Sequence, residues 1–354
     1  MNKQQLYLQA CELLRALIAT PSLSRQEERT AALIERLLQK AGVKTARKGN
    51  NVWAKSTHFA KEKPSILLNS HHDTVKPTQG WQSDPFTPTE TGDRLTGLGS
   101  NDAGGPLVSL IATFLYFHQR EDLAYNLIIA ATAEEEISGK NGVASILADL
   151  GTIDLGIVGE PTQMQMAIAE KGLMVLDCTA HGRSGHAARN EGINAIYKAL
   201  DDIRWFRSYE FPKVSPLLGK IKMTVSQIEA GQQHNVVPDR CTYVVDVRST
   251  EQYSNREIHA IICEHLQSEV SPRSFRLNSS GISLAHPIVK RGLSLGRSYY
   301  GSPTLSDQAL MPFTTLKIGP GDSARSHTPN EYIMLSEIRE GIDLYIKLLE
   351  GLVL

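Results

Sequence analysis

Three short apolar runs constrain this chain more than any other feature. Residues 65–70, 125–132 and 154–158 read as strands, and 106–118 and 141–150 read as helices between them. Apolar runs of this length, bounded by turn residues, suit strands buried on both faces. Strands alternating with helices imply an α/β core with a mostly parallel sheet. Each run also ends in reactive side chains. Ser70-His71-His72-Asp73-Thr74 closes the first, Ala133-Glu134-Glu135-Glu136 follows the second, and Gly159-Glu160-Pro161 follows the third. Sites in parallel sheets gather at the carboxyl ends of strands, so these clusters are expected to meet.

Side chains in a strand alternate between faces. His71 and Asp73 therefore point one way and His72 the other. An imidazole beside a carboxylate suits a metal ligand whose partner fixes the ring's tautomer. Alone, such a pair reads as a plain hydrogen-bonded contact, so the remaining ligands must come from elsewhere. Asp102, in the glycine-rich turn Gly97–Gly105, and His327, late in the chain, are the further candidates. Histidine with carboxylate and no thiolate suits zinc, with manganese and cobalt as neighbours. Converging carboxylates without cations would repel and raise one another's pKa, and metal relieves this. Two ions ~3.5–4 Å apart also suit hydrolysis, because they acidify a shared water and stabilise an oxyanion.

The rest of the chain adds context. At 354 residues, two domains are the expectation. A helix is expected over 5–19, and Ser24 with Glu27 reads as a capping box for the next helix. From about 172 the pattern becomes β-α-β-β-α-β, with strands at 173–180, 220–228, 242–247 and 274–277 and helices at 191–207 and 251–267. That order suits a small ferredoxin-like sandwich. The formal charge of −1 leaves no nucleic-acid footprint. Cys11, Cys178, Cys241 and Cys263 lack C-x-x-C spacing and read as buried thiols in a reducing compartment. Glu12 and Arg15 interrupt the only candidate signal segment, and no run is long enough to span a bilayer.

Five motifs then fall into register. His71-x-Asp73, Gly97-Leu98-Gly99-Ser100-Asn101-Asp102, Glu135-Glu136, Gly159-Glu160-Pro161 and His327 follow the order and approximate spacing of the M20 metallopeptidase family. The resemblance covers essentially the whole chain, including the inserted second domain. The stretches 102–107 and 319–331 look most like the acetylornithine and acetyl-lysine deacetylase branch.

The resemblance implies a catalytic domain of residues 1–171 and 283–354 with a mostly parallel sheet and two zinc ions, for which cobalt or manganese could substitute. It implies an inserted α+β ferredoxin-like lid and dimerisation domain over 172–282. Asp102 would bridge the ions, His71 and Glu160 would complete one site, and Glu136 and His327 the other. Glu135 would be the general base, and Asp73 would orient His71. His186, in Gly182-Arg183-Ser184-Gly185-His186, would reach the oxyanion from the partner subunit's lid. Arg248, with Asn235 nearby, would bind a substrate carboxylate; the alternative for Arg248 is a strand pair with Asp246. Lys171 and Arg189 are further substrate contacts to consider, and Glu331 reads as structural support.

The implied reaction removes an N-acyl group from an amino acid, with N-acetylornithine or N-acetylcitrulline foremost. Succinyl-diaminopimelate, N-succinyl-ornithine and dipeptides are the alternatives. A cytoplasmic homodimer in arginine synthesis follows from the same likeness. A non-catalytic metal-binding role is disfavoured because Glu135 accompanies all five ligands. A nucleotide-binding role is disfavoured because Gly97-x-Gly99 lacks a complete phosphate loop. Two positions depart from the family pattern: Gly104 stands where Lys is common, and Glu134 where Asp is usual. Glu134 is expected to be a solvated acid.

Overall fold

The computed structural model describes residues 2–354. The chain forms two compact units. The larger comprises residues through Ile168, Ile282–Tyr300 and Ser306–Leu354; the smaller comprises Ala169–Gly281 with Gly301–Leu305.

The larger unit is built on a mixed sheet. Six of its strands lie side by side in the order Thr45–Lys48, Asn51–Lys55, Asn126–Thr132, Ser65–His71, Leu155–Val158 and Thr315–Lys317. The four strands from Asn126–Thr132 to Thr315–Lys317 are parallel, as the alternation of strands and helices predicts. Every residue of Ser65–His71, Asn126–Thr132 and Leu155–Val158 is buried, which accounts for their unbroken apolar character. Register then does the positioning. His71 pairs with Thr132 and Asn69 with Val158, so the three strand ends, with the clusters that follow them, emerge together.

Helix Gly105–Phe117 is buried almost all round and packs against Lys3–Ile18 and Leu335–Leu349. Phe114 and Leu107 are fully enclosed there. Truncating such a Phe to Ala costs about 3–5 kcal/mol, through lost transfer energy and the cavity left behind.

Three local expectations fail for identifiable reasons. Ser24 and Glu27 form no capping box, because both are engaged elsewhere. The Ser24 hydroxyl donates to Asp73 Oδ2 at 2.7 Å. Buried Glu27 accepts from Arg25 N, Asn50 Nδ2 and Glu134 N. The stretch 141–150 is a 3-10 turn, Val143–Ser145, followed by the short helix Leu147–Leu150. The Asn51 side chain takes the Asn141 carbonyl that a longer helix would need. The last strand, in chain order, of the smaller unit's four-stranded sheet is Glu269–Pro272 rather than 274–277.

The smaller unit has the expected β-α-β-β-α-β order. Strands Lys222–Ala230, Arg240–Arg248, Met174–His181 and Glu269–Pro272 form an antiparallel sheet in that order, with helices Ala195–Ser208 and Asn255–His265. A capping box does form here, between Ser254 and Glu257. Cys11, Cys178 and Cys241 are buried free thiols, but Cys263 is exposed, contrary to expectation. Among the described residues, no helix is long and apolar enough to cross a membrane.

Candidate metal centre

The strand Ser65–His71 ends where its side chains separate by face. His71 Nδ1 hydrogen-bonds the Asp73 carbonyl oxygen at 3.0 Å and lies 3.5 Å from Asp73 Oδ1, which leaves Nε2 facing the cluster. His72 turns the other way, with Nε2 on the Asn50 carbonyl and Nδ1 on the Thr30 hydroxyl, each at 2.9 Å. A carbonyl can only accept, so Nε2 carries the proton and Nδ1 accepts. Burial pushes the His72 pKa down to about 4, so this ring is neutral and structural.

Asp102 sits in an irregular turn, Ser100–Gly104, where the Asp102–Ala103 peptide bond is cis. Gly99 has φ 73°, a left-handed geometry that glycine adopts without strain. A Cβ at Gly104 would meet the Gly99 carbonyl oxygen and Leu14, so in this chain the position has no room for a side chain. The Glu331 carboxylate holds the turn by accepting the N–H groups of Gly99, Asn101 and Asp102 at 3.0, 2.9 and 2.9 Å.

The convergence expected from the strand ends is present. His71 Nε2 lies 3.3 Å from Asp102 Oδ1, 3.8 Å from Glu160 Oε1 and 3.9 Å from Glu135 Oε2. His327 Nε2 lies 3.0 Å from Glu136 Oε2 and 3.6 Å from Asp102 Oδ2. Asp102 thus turns one oxygen to each histidine. His71, Asp102 and Glu136 offer ligand atoms all within 4.8 Å of one another. The donor set is imidazole and carboxylate, which fits a divalent ion of the zinc class.

Electrostatics support the same reading. Burial pushes Glu160 up to about 8 and raises Glu135 well above the carboxylate range, with neighbouring acids adding to both. Burial opposes the charged forms of His71 and Asp102, but their mutual hydrogen bond wins, raising the imidazole and lowering the acid. The Glu136 carboxylate raises His327 to about 9. Without a metal, Glu160 and Glu135 are pushed toward their protonated forms, and a divalent ion beside them would favour their ionised forms.

Glu134 corrects its expectation. It is buried, has φ 57°, and accepts from Asn141 Nδ2 at 2.9 Å rather than facing solvent. Asp307 was missed by sequence reasoning. It is buried, accepts from the Thr132 hydroxyl at 2.8 Å, and is raised to about 6 by burial. Neither a strand-end position nor a familiar spacing marks it in the sequence.

In the smaller unit, His186 and Asn235 are neighbours. His186 bridges Val236, and the Ala187 N–H donates to the Asn235 carbonyl at 3.0 Å. Both residues are exposed. Arg248 donates to both carboxylate oxygens of Asp246, at 2.8 and 3.1 Å, which is the strand pair left open above. Lys171 Nζ donates to the Lys220 carbonyl, and Arg189 lies 3.7 Å from Glu191.

Known proteins resemble this chain throughout its length. A [LysW]-lysine/[LysW]-ornithine hydrolase from Sulfurisphaera tokodaii is 28% identical, covering 97% of this chain and 95% of its own. Acetylornithine deacetylase from Pectobacterium carotovorum is also 28% identical, covering 91% and 92%. Among solved structures, aminopeptidase PepT from Bacillus cereus superposes with a TM-score of 0.77 at 16% identity, covering 99% and 98%. A dinuclear metal-binding M20 peptidase from Bacillus subtilis gives 0.75 at 16%, covering 98% of each chain. At those identities the structures speak for the fold alone. The description of peptidase family M20/M25/M40 matches residues 67–351. With the strand-end cluster and these relatives in agreement, the chain belongs to that family and is a metal-dependent amide hydrolase.

Proposed function

We propose that this chain is a two-metal deacylase that releases the free amine of an N-acyl amino acid, with N-acetylornithine as the leading substrate. One observation carries the two-metal reading: Asp102 presents Oδ1 to His71 at 3.3 Å and Oδ2 to His327 at 3.6 Å. A carboxylate between two imidazoles suits a bridge between two ions. His71 and Glu160 would hold one, and Glu136 and His327 the other. Zinc is the first expectation, with cobalt or manganese as substitutes. Bound there, the ions would acidify water and offset the charge of the developing oxyanion.

The protein's own groups divide the remaining work. Glu135 stands beside the ligands, and its burial favours proton uptake, which suits a group that takes a proton from water and returns it to the leaving amine. Asp73 holds Glu135 and Glu136 by their backbone N–H groups. Two divalent ions against the carboxylates of Asp102, Glu136 and Glu160 leave roughly one positive charge, which favours an anionic substrate. Family likeness assigns Arg248 and Asn235 to the substrate carboxylate. Arg248 would then exchange part of its Asp246 pairing for the ligand.

The relatives support ornithine. Acetylornithine deacetylase and [LysW]-lysine/[LysW]-ornithine hydrolase both carry ornithine in their names, the second alongside lysine. A homodimer formed through the smaller unit is the companion proposal, with His186 serving the partner's site. Tyr197, Leu200 and Ile228 are 67%, 47% and 55% exposed there, and strand Lys222–Ala230 is an edge strand. Exposed apolar groups beside an open strand edge favour self-association. Placement in the cytoplasm and in arginine synthesis follows from the substrate proposed.

The test is turnover of N-acetyl and N-succinyl ornithine, citrulline, lysine and diaminopimelate with zinc or cobalt present. Fastest release from N-acetylornithine supports the reading. Turnover confined to succinyl compounds or dipeptides replaces the acyl assignment.

A further inference from the structure

His327 is the most accessible of the five ligands, with a side chain 53% exposed. It has φ 59° and follows the 3-10 turn Ser323–Arg325. His71 and Glu160, by contrast, stand at the ends of buried strands. A ligand on an exposed loop acts precisely only if the loop is held from outside the metal cluster.

One anchor lies at the start of the loop, where the Asn101 amide donates to Asp322 O and Ser326 Oγ at 3.0 and 3.3 Å. The other is Tyr332. Arg94 Cζ lies 3.7 Å and Arg325 Cζ 4.4 Å from the Tyr332 ring centroid. Both guanidiniums therefore pack against the Tyr332 ring. Arg94 belongs to strand Arg94–Thr96, which pairs with Tyr332–Met334, and it donates to the Asn330 carbonyl at 3.2 Å. Arg325, two residues before His327, donates to both Glu337 oxygens at 2.7 and 3.1 Å. The Met334 N–H donates to the same carboxylate at 2.9 Å. The stack thus ties both flanks of His327, at Arg325 and at Asn330, to a paired strand. Cation–π attraction supplies the hold, and the planar guanidinium suits it better than an ammonium would.

We propose that the Arg94–Tyr332–Arg325 stack is a positioning device for His327, and that it sets the affinity of the half-site formed by His327 and Glu136 while leaving the half-site of His71 and Glu160 unchanged. The inference rests on the two-metal reading. These three residues are positioning residues, since none is assigned to touch metal or substrate.

The experiment titrates metal-free full-length protein with zinc against a competing chelator, and repeats the titration with cobalt followed by absorbance. Wild type is expected to show two binding events. Tyr332→Leu keeps apolar bulk but loses the ring, and should weaken one event by about 10-fold or more, with the other within about twofold. Tyr332→Phe keeps the ring and should match wild type. Arg94→Gln should weaken the same event as Tyr332→Leu. If Tyr332→Leu weakens both events equally, its role is general stability and the proposal fails. If both events are unchanged, it also fails. Should Tyr332→Leu not fold, Arg94→Gln decides by the same two criteria. Binding of only one equivalent in wild type would instead remove the two-metal reading, before any variant is made.

Discussion

The Asp73 carboxylate accepts the backbone N–H of Glu135 at 3.0 Å. Its other oxygen takes the N–H of Glu136 at 3.2 Å and the Ser24 hydroxyl at 2.7 Å. One side chain therefore orients the turn that carries both the proposed base and a proposed ligand, besides sitting against His71. Asp73→Asn would turn an amide N–H toward a backbone N–H that needs an acceptor. Metal affinity or kcat should fall about 10–100-fold, the usual cost of losing such support. Ser24→Ala leaves both acceptors in place and should cost about 1 kcal/mol of stability, measured by denaturant unfolding.

Glu135→Gln isolates proton transfer. The amide keeps size and polarity but cannot take a proton, so kcat should drop by about 10²–10⁴. Metal content, measured on the same sample, should stay at the wild-type level. Near-normal kcat would remove Glu135 as the base.

His71 and His72 are adjacent but should respond oppositely. His71→Asn should lose metal; His72→Asn should keep it and lose stability instead. The pH dependence separates them further. The folded pKa of His72 is about 4, below its ordinary 6.5, because burial penalises the charged ring. Unfolded chains bind more protons between those values, so this stability is complete above pH 6.5 and is lost as pH falls toward 4. The full loss is about 3 kcal/mol, at 1.36 kcal/mol per pKa unit. Denaturant unfolding of metal-free wild type and His72→Asn at pH 7.5 and 5 should show the steeper decline in wild type. Parallel declines would contradict the assignment.

The partner-subunit role of His186 predicts complementation. His186→Ala and Glu135→Gln should each be impaired alone, and mixed, re-equilibrated dimers should regain part of the activity. The regain comes from sites that pair an intact Glu135 with an intact His186. No regain would leave His186 a role in its own subunit or none.

Much of the site was legible because it lies where period and position speak clearly. The buried strands announced themselves as apolar runs, and alternation separated His71 from His72 correctly. Asp307 gave no such signal, since the hydroxyl that holds its carboxylate, that of Thr132, is brought near only by folding. The failed capping box has the same origin: Ser24 and Glu27 look local, but their partners, Asp73 and Glu134, are 49 and 107 residues away. Glu134 was misjudged because a strand-exit acid is ordinarily solvated, whereas here the following loop folds back and supplies the Asn141 amide. The Gly301–Leu305 excursion into the smaller unit was likewise invisible, because it rests on bonds such as Lys171 N to Ser302 O rather than on local propensity.

The most direct test of the account is the metal content of the purified chain after reconstitution with zinc and removal of excess. Asp102 between His71 and His327 predicts two equivalents per chain, falling when Asp102 is changed to Asn. One equivalent or fewer in the wild-type protein would contradict the two-metal centre on which the proposed chemistry stands.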